Sequence, residues 1–138
     1  MDNIYIRKIW EDAELIELFV KISSEFVVIN QTCYVSVDDM IKNSNIIKQY
    51  IKDNRRTYLE FGKKDGNYTP AFSMELFPCD DYGHIVIEVD MEIADNETRR
   101  HRCQFFIKTE LGLLEEFGEK LKSINEMELN ECICLYDE

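Results

Sequence analysis

"HIVIEVDMEI", His84 to Ile93, alternates without a break: Ile85, Ile87, Val89, Met91 and Ile93 take every second position, and His84, Val86, Glu88, Asp90 and Glu92 take the others. Successive side chains of a β-strand point to opposite faces, so the stretch reads as a strand with one apolar side and a row of three carboxylates on the other. A slip of one residue would exchange the two faces, and burial of the apolar set therefore sets the phase. The neighbouring segments repeat the pattern. "RTYLEFG" (Arg56–Gly62) and "YTPAFSMELF" (Tyr68–Phe77) read as a hairpin turned by the Asp-Gly of "KKDGN", and "CQFFIKT" (Cys103–Thr109) follows the loop "ADNETRRHR". Four consecutive strands then form an antiparallel meander.

Upstream, "ELIELFVKI" (Glu14–Ile22) and "FVVINQTCYVSV" (Phe26–Val37) are two further strands, antiparallel because "SSE" is too short for a crossover. The period then changes. Met40, Ile41, Ile47, Tyr50 and Ile51 share a helical face, which predicts a helix over Asp39–Asp53 capped by Ser36 or Asp38. A second amphipathic helix lies in "ELGLLEEFGEKLKSI", with Leu114, Phe117, Leu121 and Ile124 inward and Thr109 as the expected cap. Gly112 and Gly118 are poor helix formers, and close approach of the helix to the sheet is the simplest reason for them. "ECICLYDE" at the end reads as a short closing strand. The order β-β-α-β-β-β-β-α-β predicts a single α+β domain over residues 1–138, a mostly antiparallel sheet of about six to seven strands with two amphipathic helices.

A chain of 138 residues with 45% hydrophobic and 12% aromatic content can bury one core without metal or disulfide support. "MDNIYIRKIW" lacks the marks of a signal peptide and no apolar run reaches the length of a membrane span, so the expectation is a cytoplasmic protein. Cys33, Cys79, Cys103, Cys132 and Cys134 are odd in number and mostly set among apolar residues, which predicts free thiols and no intrachain disulfide. The formal charge of −12 repels nucleic acid and anionic membranes and speeds encounter with a basic protein.

A search for chemistry returns little. Glu88, Asp90 and Glu92 are spaced about 7 Å apart along one strand face, within the inverting-glycosidase range, but nothing nearby marks a sugar cleft. His101 and Cys103 share a face, yet Cys103 falls on the apolar side and reads as core. Cys132-x-Cys134 lacks the second pair of ligands that structural zinc needs, and no phosphate-binding or nucleophile-elbow motif is present. The expectation is a non-enzymatic protein with no cofactor. "RRHR" (Arg99–Arg102), the single basic cluster, is expected to pair with nearby carboxylates.

The acidic row has two readings. It is the wet side of a sheet, or it is a recognition surface in which Glu75, Glu88, Asp90 and Glu92 attract a basic partner, Phe77 and Phe106 anchor it, and Asp80 and Asp81 extend the surface into the adjoining turn. Either way, neutralising Glu88, Asp90 and Glu92 together is expected to change stability little. "EFGKKDGNYTPAFSMEL" (Glu60–Leu76) and "HRCQFFIKTELGLLEEFGEKL" (His101–Leu121), taken with the length and acidity, resemble small cytoplasmic immunity proteins encoded beside contact-dependent or polymorphic toxins of bacteria. That resemblance implies a protein that binds a cognate toxin domain, usually a nuclease, and blocks it. The rival readings are a small-ligand or peptide-binding domain, with Tyr34, Tyr50, Tyr58 and Tyr68 lining a helix–sheet pocket, and a self-associating module that uses a sheet edge.

Overall fold

The computed structural model describes residues 2–64, 70–96 and 98–137. In chain order the elements are β1 (Asn3–Glu11), β2 (Leu15–Ser23), β3 (Val28–Ser36), α1 (Val37–Asp53), β4 (Thr57–Phe61), β5 (Ala71–Leu76), β6 (His84–Asn96), β7 (Arg99–Glu110), α2 (Leu111–Leu121), a 3-10 turn (Ile124–Glu126) and β8 (Cys132–Cys134). The fold is α+β, with two antiparallel four-stranded sheets: β3-β2-β1-β8 and β4-β5-β6-β7. Two features differ from the sequence reading. The strands fall into two sheets rather than one, and "NIYIRKIWE" forms an additional strand at the centre of the first sheet.

The added strand has a visible cause. Its inward positions are Ile4, Ile6 and Lys8, and the lysine interrupts the apolar alternation that marks the other strands. Lys8 is nevertheless fully buried, with Nζ donating to Glu11 Oε2 at 2.8 Å and to the Ile124 carbonyl at 2.9 Å. A buried ammonium is tolerated only when paired and hydrogen-bonded in this way.

The meander keeps the predicted phase. Ile85, Ile87, Val89 and Met91 are buried together with Leu114, Phe117 and Leu121 of α2, while Ile93 is half-buried near the far end of β6. Met40, Ile47 and Tyr50 of α1 and Ile4, Ile6, Leu18 and Val20 of the first sheet join the same core. The sheets meet where β3 approaches β4 and β5, and there Gln31 Nε2 donates to the Ala71 carbonyl at 3.0 Å. The β6–β7 hairpin is longer than expected. Pairing continues from Glu92–Arg102 to Asn96–Arg99 past a register shift between Ala94 and Asn96, so most of "ADNETRRHR" is strand. Antiparallel pairing of β4 with β5 gives the expected hairpin, although its Asp65-Gly66 turn lies outside the described residues.

Ser36 caps α1, its Oγ accepting from the Asp39 backbone N–H at 3.0 Å. At α2 the cap position is Glu110 rather than Thr109, without a side-chain cap bond, and the Leu111 N–H instead finds the Gly83 carbonyl at 2.9 Å. Gly118 has its packing reason in the other helix, not the sheet: a Cβ there would sit 2.7 Å from Ile47 Cγ2, and Ser44 Oγ donates to the Gly118 carbonyl at 2.7 Å. Gly112 faces open space, so close approach does not explain it. Gly118→Ala is therefore expected to destabilise by about 1–2 kcal/mol, overpacking outweighing the gain in helix propensity, whereas Gly112→Ala should stabilise by up to about 1 kcal/mol. Urea unfolding of the two variants measures both signs.

Candidate functional site

The register lays out the outer face of the second sheet as rows. Tyr58, Glu75, Glu88 and Phe106 form one row; Glu60, Ser73, Asp90 and Gln104 the next; Ala71, Glu92 and Arg102 a third. Of the acids Asp90 is the most enclosed, only 6% exposed. Arg102 grips its carboxylate with two hydrogen bonds, Nη2 to Oδ2 at 2.6 Å and Nε to Oδ1 at 3.0 Å, and Lys64 Nζ lies 3.0 Å from Oδ2. The Arg102 bonds first, then Lys64, hold the Asp90 carboxyl below its usual range against the opposing effect of burial. Part of the expected acidic row is thus an internal ion cluster, and "RRHR" contributes Arg102 to it.

The other acids of the row are also partly engaged. Glu75 and Glu88 are cross-strand neighbours, an unfavourable juxtaposition of like charges. Arg56 relieves it by pairing with Glu75, and Gln104 Nε2 donates to Glu88 Oε1 at 3.1 Å. The same Arg56 guanidinium lies 4.6 Å from the Phe77 ring centroid, and the Phe77 and Phe106 rings are 6.4 Å apart. Glu92 is half-buried, with Oε1 lacking a hydrogen-bond partner among the described residues.

The turn before β6 projects an aromatic ring. Asp80 Oδ1 accepts from the Tyr82 and His84 backbone N–H groups at 2.9 and 2.8 Å, Oδ2 lies 3.1 Å from His84 Nδ1, and Gly83 supplies a φ of +80°. The His84 backbone bond is foremost among the interactions that lower the Asp80 carboxyl from its ordinary value. Asp80 therefore organises the loop, Asp81 stays exposed, and Tyr82 stands 86% exposed above it.

Beside this turn lies a cavity of about 600 Å³, lined by Phe77, His84, Val86, Lys108, Leu113 and Tyr136 among others. Asp2 closes part of its wall by accepting from the Lys108 backbone N–H at 2.8 Å. Phe106, 53% exposed, and Val86, 38% exposed, carry apolar surface between the cavity and the acidic rows.

Of the residues read from sequence, Glu75, Phe77, Glu88 and Phe106 come together, Asp80 and Asp81 sit in the adjoining turn, and Asp90 and Glu92 lie toward the opposite end, Asp90 inside its ion cluster. Tyr82, His84, Val86 and Tyr136 were not read as site residues. An aromatic residue between turn formers in "DDYGH" was the one available signal for an exposed ring. The tyrosines expected to line a helix–sheet pocket do not converge. Tyr34 packs edge-on against Trp10 at 6.2 Å, and Tyr50 is buried with its hydroxyl donating to the Phe77 carbonyl at 2.5 Å. Tyr58 lies on the outer face and donates to Glu60 Oε1 at 2.7 Å, and Tyr68 is outside the described residues. Burial, then the Glu60 hydrogen bond, pushes the Tyr58 hydroxyl up to about 12.

Cys33, Cys79, Cys103, Cys132 and Cys134 are free thiols, and burial pushes the Cys33 thiol up to about 12. Among the described residues no group of three or more His, Cys, Asp or Glu side chains is arranged to hold a metal ion, and no helix is long and apolar enough to cross a membrane. No protein-family model, curated protein or solved structure matches this chain.

Proposed function

We propose that this chain is a non-enzymatic immunity protein that binds a cationic bacterial toxin domain, such as a basic nuclease, and neutralises it. The observation that carries the reading is the outer end of the second sheet. Tyr82, Val86 and Phe106 stand exposed around an apolar cavity, bordered by the carboxylates of Asp81, Glu88 and Glu110, in a chain of net charge −12. Rings and aliphatic groups at an interface centre exclude water and anchor the partner, while surrounding acids raise the encounter rate with a basic surface.

The test is co-expression with the polypeptide encoded immediately upstream of this chain's gene. That polypeptide alone should arrest growth, co-expression of this chain should restore it, and the purified pair should form a complex that weakens as salt rises. Arrest that this chain leaves undiminished, with no complex at low salt, overturns the proposal.

The cavity supports a second reading, a site for a small apolar ligand, since its volume lies in the range such ligands occupy. The two readings separate by mutation. Leu113→Trp narrows the cavity and would weaken small-ligand binding, whereas Phe106→Ala acts on a ring outside the cavity lining and would impair only a protein interface.

A further inference from the structure

β8 is an edge strand of the first sheet, and its pairing with β1 sets Cys132 opposite Arg7 and Cys134 opposite Tyr5. Ile133 between them points into the core, so both cysteines share the outer face, Cys132 exposed and Cys134 half-buried. Both line the same open cavity, and burial followed by the neighbouring Cys132 pushes the Cys134 thiol up to about 11. Arg7 adds an independent observation. Its guanidinium lies 5.0 Å from the Phe19 ring centroid, with Nε buried and lacking an acceptor among the described residues. An open cavity of about 720 Å³, lined by Tyr5, Phe19, Lys21, Cys132, Cys134 and Tyr136, gives small molecules access to the pair.

We propose that Cys132 and Cys134 form a peroxide-responsive dithiol, with Cys132 as the reacting thiol, Cys134 as the resolving thiol, and Tyr136 carrying the change to the binding face. The Cys132 thiolate attacks one peroxide oxygen. The O–O bond breaks, sulfur keeps an OH as sulfenic acid, and the departing hydroxide takes up a proton as water. The Cys134 thiolate then attacks the Cys132 sulfur, forming S–S and displacing hydroxide, which becomes water with the proton Cys134 lost. Two thiols and one peroxide give one disulfide and two waters: sulfur is oxidised and peroxide oxygen reduced. The first step also removes the Cys132 charge that opposes ionisation of Cys134.

Closing this bond strains β8. Residues two apart on an extended strand have Cα atoms about 6.6 Å apart, near the upper limit of the span a disulfide accepts. The strand must shorten while its ladder with β1 spans Tyr5–Arg7 and is flanked by backbone bonds between Lys8 and Asn130 and Glu131. Just beyond, the Leu135 N–H donates to the Ile4 carbonyl at 2.9 Å and the Tyr136 N–H to Asn3 Oδ1 at 2.8 Å, and Tyr136 also lines the cavity beside Phe77 and His84. The consequence for partner binding rests on the function proposed above; the thiol chemistry does not.

Hydrogen peroxide on the full chain, followed by alkylation in denaturant and peptide mass mapping, tests the chemistry. Alkylatable thiols should fall from the five of the untreated chain to three, with the disulfide in the Cys132–Cys134 peptide. Cys134→Ser should accumulate a dimedone adduct on Cys132, and Cys132→Ser should keep its four remaining thiols alkylatable. Five surviving thiols, reaction first at Cys79, or Cys132 oxidised past the sulfenic stage with Cys134 intact would overturn the proposal. Hydrogen exchange reads the coupling: the Leu135 amide should lose protection on oxidation, and unchanged protection refutes transmission through Tyr136 while leaving the partner-binding reading intact.

Discussion

Asp90→Ala is expected to lower the free energy of unfolding by about 3–5 kcal/mol, the usual consequence of removing one partner from a buried ion pair. Asp90 is 6% exposed and accepts from Arg102 twice while contacting Lys64. Its loss leaves two cations facing each other. Arg102, with a side chain 62% exposed, can turn toward water, whereas Lys64, at 12%, is left with its ammonium largely out of solvent. Arg102→Ala should therefore cost less, since Lys64 still neutralises the carboxylate. The pH dependence has a definite sign. The folded-state pKa of Asp90 is lowered, so its ionic contribution is fully present above the unfolded value, near 3.8, and is lost as pH falls through the lower folded value. Asp90→Asn should accordingly lose less stability than wild type on going from neutral pH to about pH 3. Urea unfolding at both pH values measures this, and an Asp90→Ala midpoint equal to wild type would remove the ion cluster from the account.

The same geometry explains why the acidic row was only half legible. Alternation in His84–Ile93 specifies which face each side chain takes, and Ile85, Ile87, Val89 and Met91 lie where that pattern puts them. It says nothing of depth. Asp90 is enclosed because Lys64, from the chain after β4, reaches across the sheet and also donates to Ser73 Oγ at 3.1 Å. Neutralising Glu88, Asp90 and Glu92 together is therefore not expected to be neutral for stability. Lys8 hid β1 for a related reason, since its partners are Glu11 at the end of its own strand and the Ile124 carbonyl of a segment far along the chain. The division into two sheets was invisible because periodicity identifies strands and not their partners. "RRHR" carries little strand propensity, and cross-strand pairing to β6 holds it extended. Asp80 could have been read as a loop organiser, because an Asp followed by a turn glycine commonly hydrogen-bonds the backbone two residues on.

With the partner in hand, Phe106→Ala is expected to raise the dissociation rate roughly thirtyfold, equivalent to about 2 kcal/mol. Its ring is more than half exposed and touches Phe77 only at a tilted 6.4 Å, so the folded chain should lose little stability, which separates this variant from Asp90→Ala. Tyr82→Ala should act in the same way, because Asp80 and Gly83, not the ring, hold the turn. Neutralising Asp81, Glu88 and Glu110 to the corresponding amides should act on the other rate. Long-range attraction governs encounter, so association should slow and its salt dependence flatten while dissociation changes little. Gln at position 88 can still accept from Gln104, which keeps the sheet's own bond out of the comparison. Stopped-flow association and dissociation at two ionic strengths distinguish anchoring from steering. Unchanged rates and salt slope in both sets would reduce this face to the solvated side of a sheet and move the search to the outer face of the first sheet, where Trp10 and Tyr34 pack edge to face and Arg7 lies over Phe19.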